Sequence, residues 1–186
     1  NERLGSANAL KAHQDYPGRI VPTSIHGDGP RWHGRDPSLL EELAKDMRSG
    51  CYYAMGEFEA RHYPSGTNDR DVHLPLDSAS FEAVFALAQE TGAPFLIHHE
   101  AEDTLLPEME RMLAKYPGAK VVWCHVGRNR NGNTWTKFPT PDGVRAFLAK
   151  YPNLHFDLNQ AKPGGRYRLT NAVDAVFYDG GEPGAN

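Results

Sequence analysis

The stretch Pro94-Phe95-Leu96-Ile97-His98-His99-Glu100 decides how the chain is interpreted, because a short apolar run ends in two imidazoles and a carboxyl. Such a run, without alternation of polar and apolar residues, is typical of a strand buried on both faces of a parallel sheet. Adjacent side chains of a strand point to opposite faces, so only one of the two histidines can face the functional side. We expect His98 to do so, with His99 as the alternative.

Similar runs lie on both sides of this stretch, at residues 19–25, 52–58, 120–125 and 153–158, and a weaker one lies at 173–178. Amphipathic segments separate them, and their ends carry helix signals. Helices are predicted after Asp36-Pro37 up to Gly50, from Ser78 to Gly92, before Pro117-Gly118, and from Thr140-Pro141 to Pro152; residues 8–16 form an earlier one. The alternation predicts an α/β protein with a parallel sheet.

The fold class expected is a (β/α) TIM-type barrel. No strand is followed by the Gly-rich phosphate loop of a dinucleotide-binding sheet. A closed barrel has eight strands in about 250 residues, whereas this chain has 186 residues and five or six predicted strands. We therefore expect residues 1–186 to form a single barrel domain that is incomplete at both ends. A complete, smaller α/β domain is the alternative.

Composition limits the partners. The formal net charge is −4, so no basic surface for nucleic acid is expected, and a small-molecule substrate is. No apolar run is long enough to span a membrane. Cys51 and Cys124 lack the spacing of a metal or redox motif. They are predicted to be buried, reduced thiols, which favours the cytoplasm over secretion, with a disulfide between them as the alternative. A homo-oligomer is left open.

Three consecutive strands end in residues that can bind a metal. Functional residues of a β/α barrel collect at the carboxyl ends of its strands. Glu57 and Glu59 follow one run and share a face, so one can bind a metal while the other accepts from a neighbouring donor; His98 and His125 end the next two runs. Glu57, His98 and His125 are thus the predicted ligands. Carboxylate and imidazole together suit zinc, with manganese or iron as alternatives.

Further residues near these strand ends are predicted to contact substrate. Arg128 can present its planar fork to a carboxylate or phosphate, and His99 could also line the site. Asp157 and Asn159 share a face of the last strand, where they could orient the histidines, contact substrate or cap the backbone. The remaining candidate histidines, at positions 26, 33, 62 and 73, are interpreted as solvated loop residues.

At these positions the sequence resembles the amidohydrolase superfamily, in particular its amidohydrolase-2 and TatD-type metal-dependent hydrolases. Met55-Gly56-Glu57-Phe58 is similar to the strand whose glutamate bridges two metals in this superfamily. The runs that end at His98 and at His125 resemble the strands that each supply a single histidine. The stretch Tyr151-Pro152-Asn153-Leu154 is similar to an amidohydrolase-2 motif. The superfamily's opening His-x-His strand and closing aspartate strand have no counterpart in the sequence.

The resemblance implies that a divalent metal activates water for attack on a C–N, C–O or P–O bond, or serves a related decarboxylase or lactonase. His98 and His125 would hold the metal, and Glu57 would bridge or ligate it, so Glu57 and His125 would be catalytic. The general base would be the aspartate that is not seen, and little activity is expected of the chain alone.

Two other functional classes stay open on the sequence. A metal-free β/α-barrel lyase or isomerase would need a lysine at a strand end for Schiff-base chemistry, whereas Lys120 begins its strand. A non-catalytic, barrel-derived binding module would need no complete ligand set. Metal content separates both classes from a hydrolase.

Overall fold

The computed structural model describes residues 5–24, 29–64, 69–126, 138 and 140–157. Within these residues the helices are α1 Gly5–Asp15, α2 Pro30–His33, α3 Pro37–Arg48, α4 Ala79–Thr91, α5 Leu106–Lys115 and α6 Pro141–Lys150. The strands are β1 Thr23–Ser24, β2 Ala54–His62, β3 Val72–His73, β4 Phe95–His99, β5 Val121–Trp123 and β6 Leu154–Phe156. The predicted strand at 173–178 lies outside the described residues.

One sheet contains all six of these strands. β1, β2, β4, β5 and β6 are parallel neighbours in chain order, and β3 pairs antiparallel with the end of β2. Helices connect successive parallel strands, so the carboxyl ends of the strands lie at one edge. A doubly wound sheet reverses its strand order, whereas a barrel keeps chain order. The sheet is therefore part of a (β/α) barrel, as predicted.

The helix ends follow the predicted signals. Asp36 accepts a hydrogen bond from the backbone N–H of Ser38 at 3.0 Å and precedes Pro37 at the first turn of α3. Thr140 caps α6 in the same way, with its hydroxyl 3.1 Å from the backbone nitrogen of Gly143. Gly92 ends α4 in the left-handed conformation, at φ 70°.

Aromatic side chains fill the space between the sheet and its helices. Trp32 packs on Phe58 of β2 with ring centroids 4.9 Å apart, and Phe85 of α4 packs on Phe95 of β4 at 4.8 Å. The indole nitrogen of Trp32 also donates to the carbonyl of Glu59 at 2.9 Å. These contacts hold the carboxyl-terminal half of β2 in place.

A second aromatic cluster supports the later strands. Trp123 stacks on Phe138 at 5.2 Å and on Phe156 at 5.7 Å. Its indole nitrogen donates to the carbonyl of His99 at 2.7 Å, which ties the end of β5 to the end of β4. Both clusters thereby position the edge of the sheet at which the polar strand ends lie.

The cysteines are both free thiols. Cys124 is buried, as predicted, but the prediction for Cys51 was wrong: it is exposed, because it lies in the turn between α3 and β2. None of the helices in the described part of the chain is long and apolar enough to cross a bilayer.

Phe85→Ala tests the packing of α4 on the sheet. Removing a fully buried ring leaves a cavity beside Phe95, so we expect the free energy of unfolding to fall by about 3–5 kcal/mol. Urea unfolding measures the change. Tyr16→Ala is the control, since Tyr16 is exposed, and it should change stability by less than about 0.5 kcal/mol. Equal stability of the two variants would contradict the assigned core.

Candidate metal centre

Three polar side chains meet at the carboxyl edge of the sheet. Glu57, His98 and His125 each offer one ligand atom, and these atoms all lie within 4.8 Å of one another. Oε1 of Glu57 is 3.0 Å from Nδ1 of His98 and 3.3 Å from Nε2 of His125. The three residues come from β2, β4 and the turn after β5. The structure thus brings together the three side chains predicted as ligands.

Glu57 reaches this position because β2 approaches β4 very closely one residue earlier. Gly56 has φ 107°, and a Cβ built on it would lie 2.5 Å from the carbonyl oxygen of Leu96. The pairing of β2 with β4 shifts register here, between Met55 and Phe58. Only glycine suits both the dihedral angle and the space.

The two histidines of β4 separate as strand alternation predicts. His98 joins the cluster, whereas His99 is buried against Trp123, with Nε2 3.4 Å from Oε1 of Glu108 on α5. Burial lowers the pKa of His99 to about 3, so this imidazole is neutral at pH 7. His99, predicted as a substrate contact, therefore lies in the core beside the helices, with 2% of its surface exposed.

His125 lies in a strained turn instead of at the end of a strand. β5 ends at Trp123, two residues before the predicted end, and Cys124–Val126 form one 3-10 turn. His125 has φ 58° and Val126 has φ 52°. This left-handed backbone conformation is unfavourable for residues other than glycine. Asp157 supports the turn, since its Oδ1 accepts from the backbone N–H of His125 at 2.8 Å.

A second carboxylate stands behind each imidazole of the cluster. Nε2 of His98 is 3.3 Å from Oε1 of the buried Glu100, and Nδ1 of His125 is 3.8 Å from Oδ1 of Asp157. Both nitrogens of each ring therefore face carboxylates. A neutral imidazole carries one N–H, so a proton or another cation must lie at the remaining nitrogen. The donor set fits a bound cation for this reason.

The charges of the cluster also act on its titratable groups. Burial acts to raise the pKa of the Glu57 carboxyl, but hydrogen bonds and charge from His125 and His98 outweigh it and hold this pKa far below its ordinary value. Burial raises the pKa of the nearby Cys124 thiol well above its usual range. Cys124 is therefore a protonated thiol at neutral pH and not an activated nucleophile.

Three histidines that the sequence places in loops belong to a helix or a strand in the structure. β2 continues to His62, so the loop assignment of this residue was wrong; its ring is buried and lies 5.0 Å from that of His98. The loop assignment was also wrong for His33, which ends α2 with Nε2 2.9 Å from Oε2 of Glu59, and for His73, an exposed residue of β3. His26 lies outside the described residues. The apolar Ala60, two positions after Phe58, indicated in the sequence that the strand continues, because Phe58, Ala60 and His62 lie on one buried face of β2.

Of the other predicted site residues, Glu59 contacts basic side chains, and two lie outside the described residues. Glu59, the alternative to Glu57, is bound to Arg70 at 2.6 Å and to His33, so it accepts from neighbouring donors as the pattern allowed. Burial raises its pKa, although Arg70 and His33 act in the opposite direction. Arg128 and Asn159 lie outside the described residues.

Comparisons with known proteins agree with this fold. A family model described as Amidohydrolase matches residues 25–180. The 3'-5' ssDNA/RNA exonuclease TatD of Edwardsiella piscicida is 32% identical over 128 residues, which are 66% of this chain and 45% of that protein. The chain thus spans less than half the length of this curated relative.

Two solved structures are similar in fold. An uncharacterised TIM-barrel protein from Bordetella bronchiseptica superposes with a TM-score of 0.52 at 14% identity, over 83% of this chain and 48% of that one. A 2,6-dihydroxybenzoate decarboxylase bound to 2,6-dihydroxybenzoate gives 0.53 at 12% identity, over 92% of this chain and 61% of that one. Identities this low concern the fold alone, and they confirm the barrel architecture.

Gly56→Ala tests how Glu57 is positioned. The added methyl group must displace β2 from β4, so we expect stability to fall by at least about 1–3 kcal/mol, the range for a strained backbone position. Gly18→Ala is the matched control, because nothing lies within 4 Å of a Cβ at Gly18. Chemical denaturation compares the two variants, and a Gly56→Ala protein as stable as the control would refute the close approach.

Proposed function

The chain belongs to the amidohydrolase family, and from this membership we propose that it is a metal-dependent hydrolase whose cation is held by Glu57, His98 and His125. Zinc is the metal we expect first, with manganese or iron as alternatives. The bond cleaved would be a C–N, C–O or P–O bond of a small molecule, or the reaction would be a related decarboxylation or lactone opening.

The observation that best supports this metal site is a row of alternating carboxylates and imidazoles. Glu57 lies between two rings, and each ring has a further carboxylate at its outer nitrogen, Glu100 for His98 and Asp157 for His125. Histidines that bind metals commonly present their other nitrogen to a carboxylate, which orients the ring and raises its basicity. Nδ1 of His98 and Nε2 of His125 both face Oε1 of Glu57. A cation bound between these three atoms would satisfy the carboxylate and both rings.

A divalent cation bound at this place would supply Lewis acidity to a water molecule and to the scissile bond. The chain's own residues prepare the site. Asp157 fixes the strained turn of His125, Glu100 orients His98, and the low pKa of Glu57 keeps its carboxylate ionised at neutral pH. Arg128, Asp157 and Asn159 are the proposed substrate contacts.

A second candidate function is cleavage of P–O bonds in single-stranded nucleic acid. The 32% identity to the relative named as an ssDNA/RNA exonuclease favours it. The net charge of −4 opposes it, because nucleic-acid binding depends largely on contacts between cations and phosphates. Assays on a labelled single-stranded oligonucleotide and on small esters, amides and phosphodiesters distinguish the two.

His98→Ala and His125→Ala should abolish stoichiometric zinc uptake, since each removes a ligand that the other two cannot replace. Calorimetric titration of zinc and of manganese into the full chain measures this. His155→Ala is the control, because His155 is an exposed residue of β6 outside the cluster. Equal uptake by all variants would contradict the proposed ligands.

Turnover separates the remaining classes. Hydrolysis that appears with zinc and disappears with a chelator supports the proposal. Turnover that the chelator does not change indicates a metal-free enzyme. Zinc binding without turnover of any tested substrate indicates a binding module.

Glu100→Gln should weaken zinc binding about 10- to 100-fold without removing a ligand, as is usual when the carboxylate behind a metal-bound histidine is lost. Competition with a chromogenic chelator gives the dissociation constant. Glu110→Gln is a fair comparison, because Glu110 pairs with Lys150 at the surface. An unchanged constant in folded Glu100→Gln would show that Glu100 does not support His98.

A further inference from the structure

A pocket of about 390 Å³ lies at β3, which pairs with the end of β2, and its polar lining is rich in N–H donors. Four side chains supply these donors: His33, Arg35, Arg70 and His73. The acidic residue of the lining, Asp71, is paired with Arg61. The permanently charged donors of the lining are thus Arg35 and Arg70.

Glu59 holds two of these donors in place. Its carboxylate is buried, with one oxygen 2.6 Å from Nη2 of Arg70 and the other 2.9 Å from Nε2 of His33. A buried carboxylate that engages both side chains restricts their rotamers. Glu59 of β2 thus fixes the part of the pocket wall that Arg70 and His33 form.

Arg35 is the most informative residue of the pocket. Its backbone has φ 57°, a conformation that favours glycine, just after α2. Among the described residues, the nearby acids Asp36 and Glu42 are engaged by Arg31, and Arg35 forms no ion pair. The positive φ closes α2, because the backbone N–H of Arg35 donates to the carbonyl of Trp32 at 3.0 Å and that of Asp36 donates to the carbonyl of Arg31 at 2.9 Å. The exposed guanidinium of Arg35 is left to line the pocket.

The pocket is only one side chain away from the candidate metal ligands. Nδ1 of His62 lies 3.1 Å from the carbonyl oxygen of Arg70, and the ring of His62 lies 5.0 Å from that of His98. His62 therefore links the segment that carries Arg70 to the cluster.

We propose that this pocket binds an oxyanion of the substrate, a carboxylate or a phosphate, through Arg35 and Arg70. Arginine presents planar pairs of N–H donors that match both groups. That the anion is part of the substrate rests on the proposed function. Binding of the anion itself does not, because it needs no metal. The substrates expected are thus small carboxylates or phosphate esters rather than neutral molecules.

Direct binding tests the proposal on the full, metal-free chain. Benzoate and inorganic phosphate are titrated separately, and binding is followed by NMR chemical shifts. Arg35→Gln should weaken binding by at least about tenfold, as expected when a charged hydrogen bond is lost. Arg19→Gln is the control: Arg19 is also an exposed arginine, and it lies outside the lining. Binding of benzoate alone or of phosphate alone identifies the source of the oxyanion.

Arg35→Gly separates function from folding. Glycine accepts a positive φ without strain, so this variant should melt at or above the temperature of the wild type and still bind the anion at least about tenfold more weakly. Unchanged binding in Arg35→Gly, or no binding of either anion to the wild type at millimolar concentration, would overturn the proposal. Failure of the metal site alone would instead abolish zinc uptake and leave anion binding intact.

Discussion

The site depends on one electrostatic constraint: two imidazoles share one oxygen of Glu57 and each has another carboxylate behind it. A neutral imidazole can satisfy one carboxylate with its single N–H, so this arrangement needs additional positive charge, either protons on the rings or a bound cation. The barrel makes the arrangement attainable because its parallel strands end at one edge, where side chains distant in sequence meet.

The fold accepts local strain to reach this geometry. Gly56 lets β2 approach β4 so closely that no side chain fits, and His125 and Val126 both adopt left-handed backbone conformations. Strain of this kind persists where the surrounding structure over-determines it. Here the packing of Trp123 and the hydrogen bond from His125 to Asp157 supply that support.

Sequence patterns predicted the parts that follow from periodicity. The buried strands, their helices, and the division of His98 and His99 between opposite faces come from apolar runs and strand alternation. The patterns missed features that depend on three-dimensional contacts. The left-handed turn at His125 depends on Asp157, which follows the neighbouring strand β6 but is distant in sequence. The extension of β2 to His62 depends on pairing with β3, and the contact of Glu100 with His98 depends on the position of the ring. Cys51 was misplaced because its neighbours are apolar although it lies in a turn.

A crystal structure of the zinc-loaded chain, with anomalous scattering collected at the zinc edge, would show whether Glu57, His98 and His125 hold the metal. We expect one strong peak at about 2.0–2.2 Å from Nδ1 of His98, Nε2 of His125 and a carboxylate oxygen of Glu57, the usual distances for zinc. A peak at the exposed Cys51 thiol, or none near the two imidazoles, would contradict it.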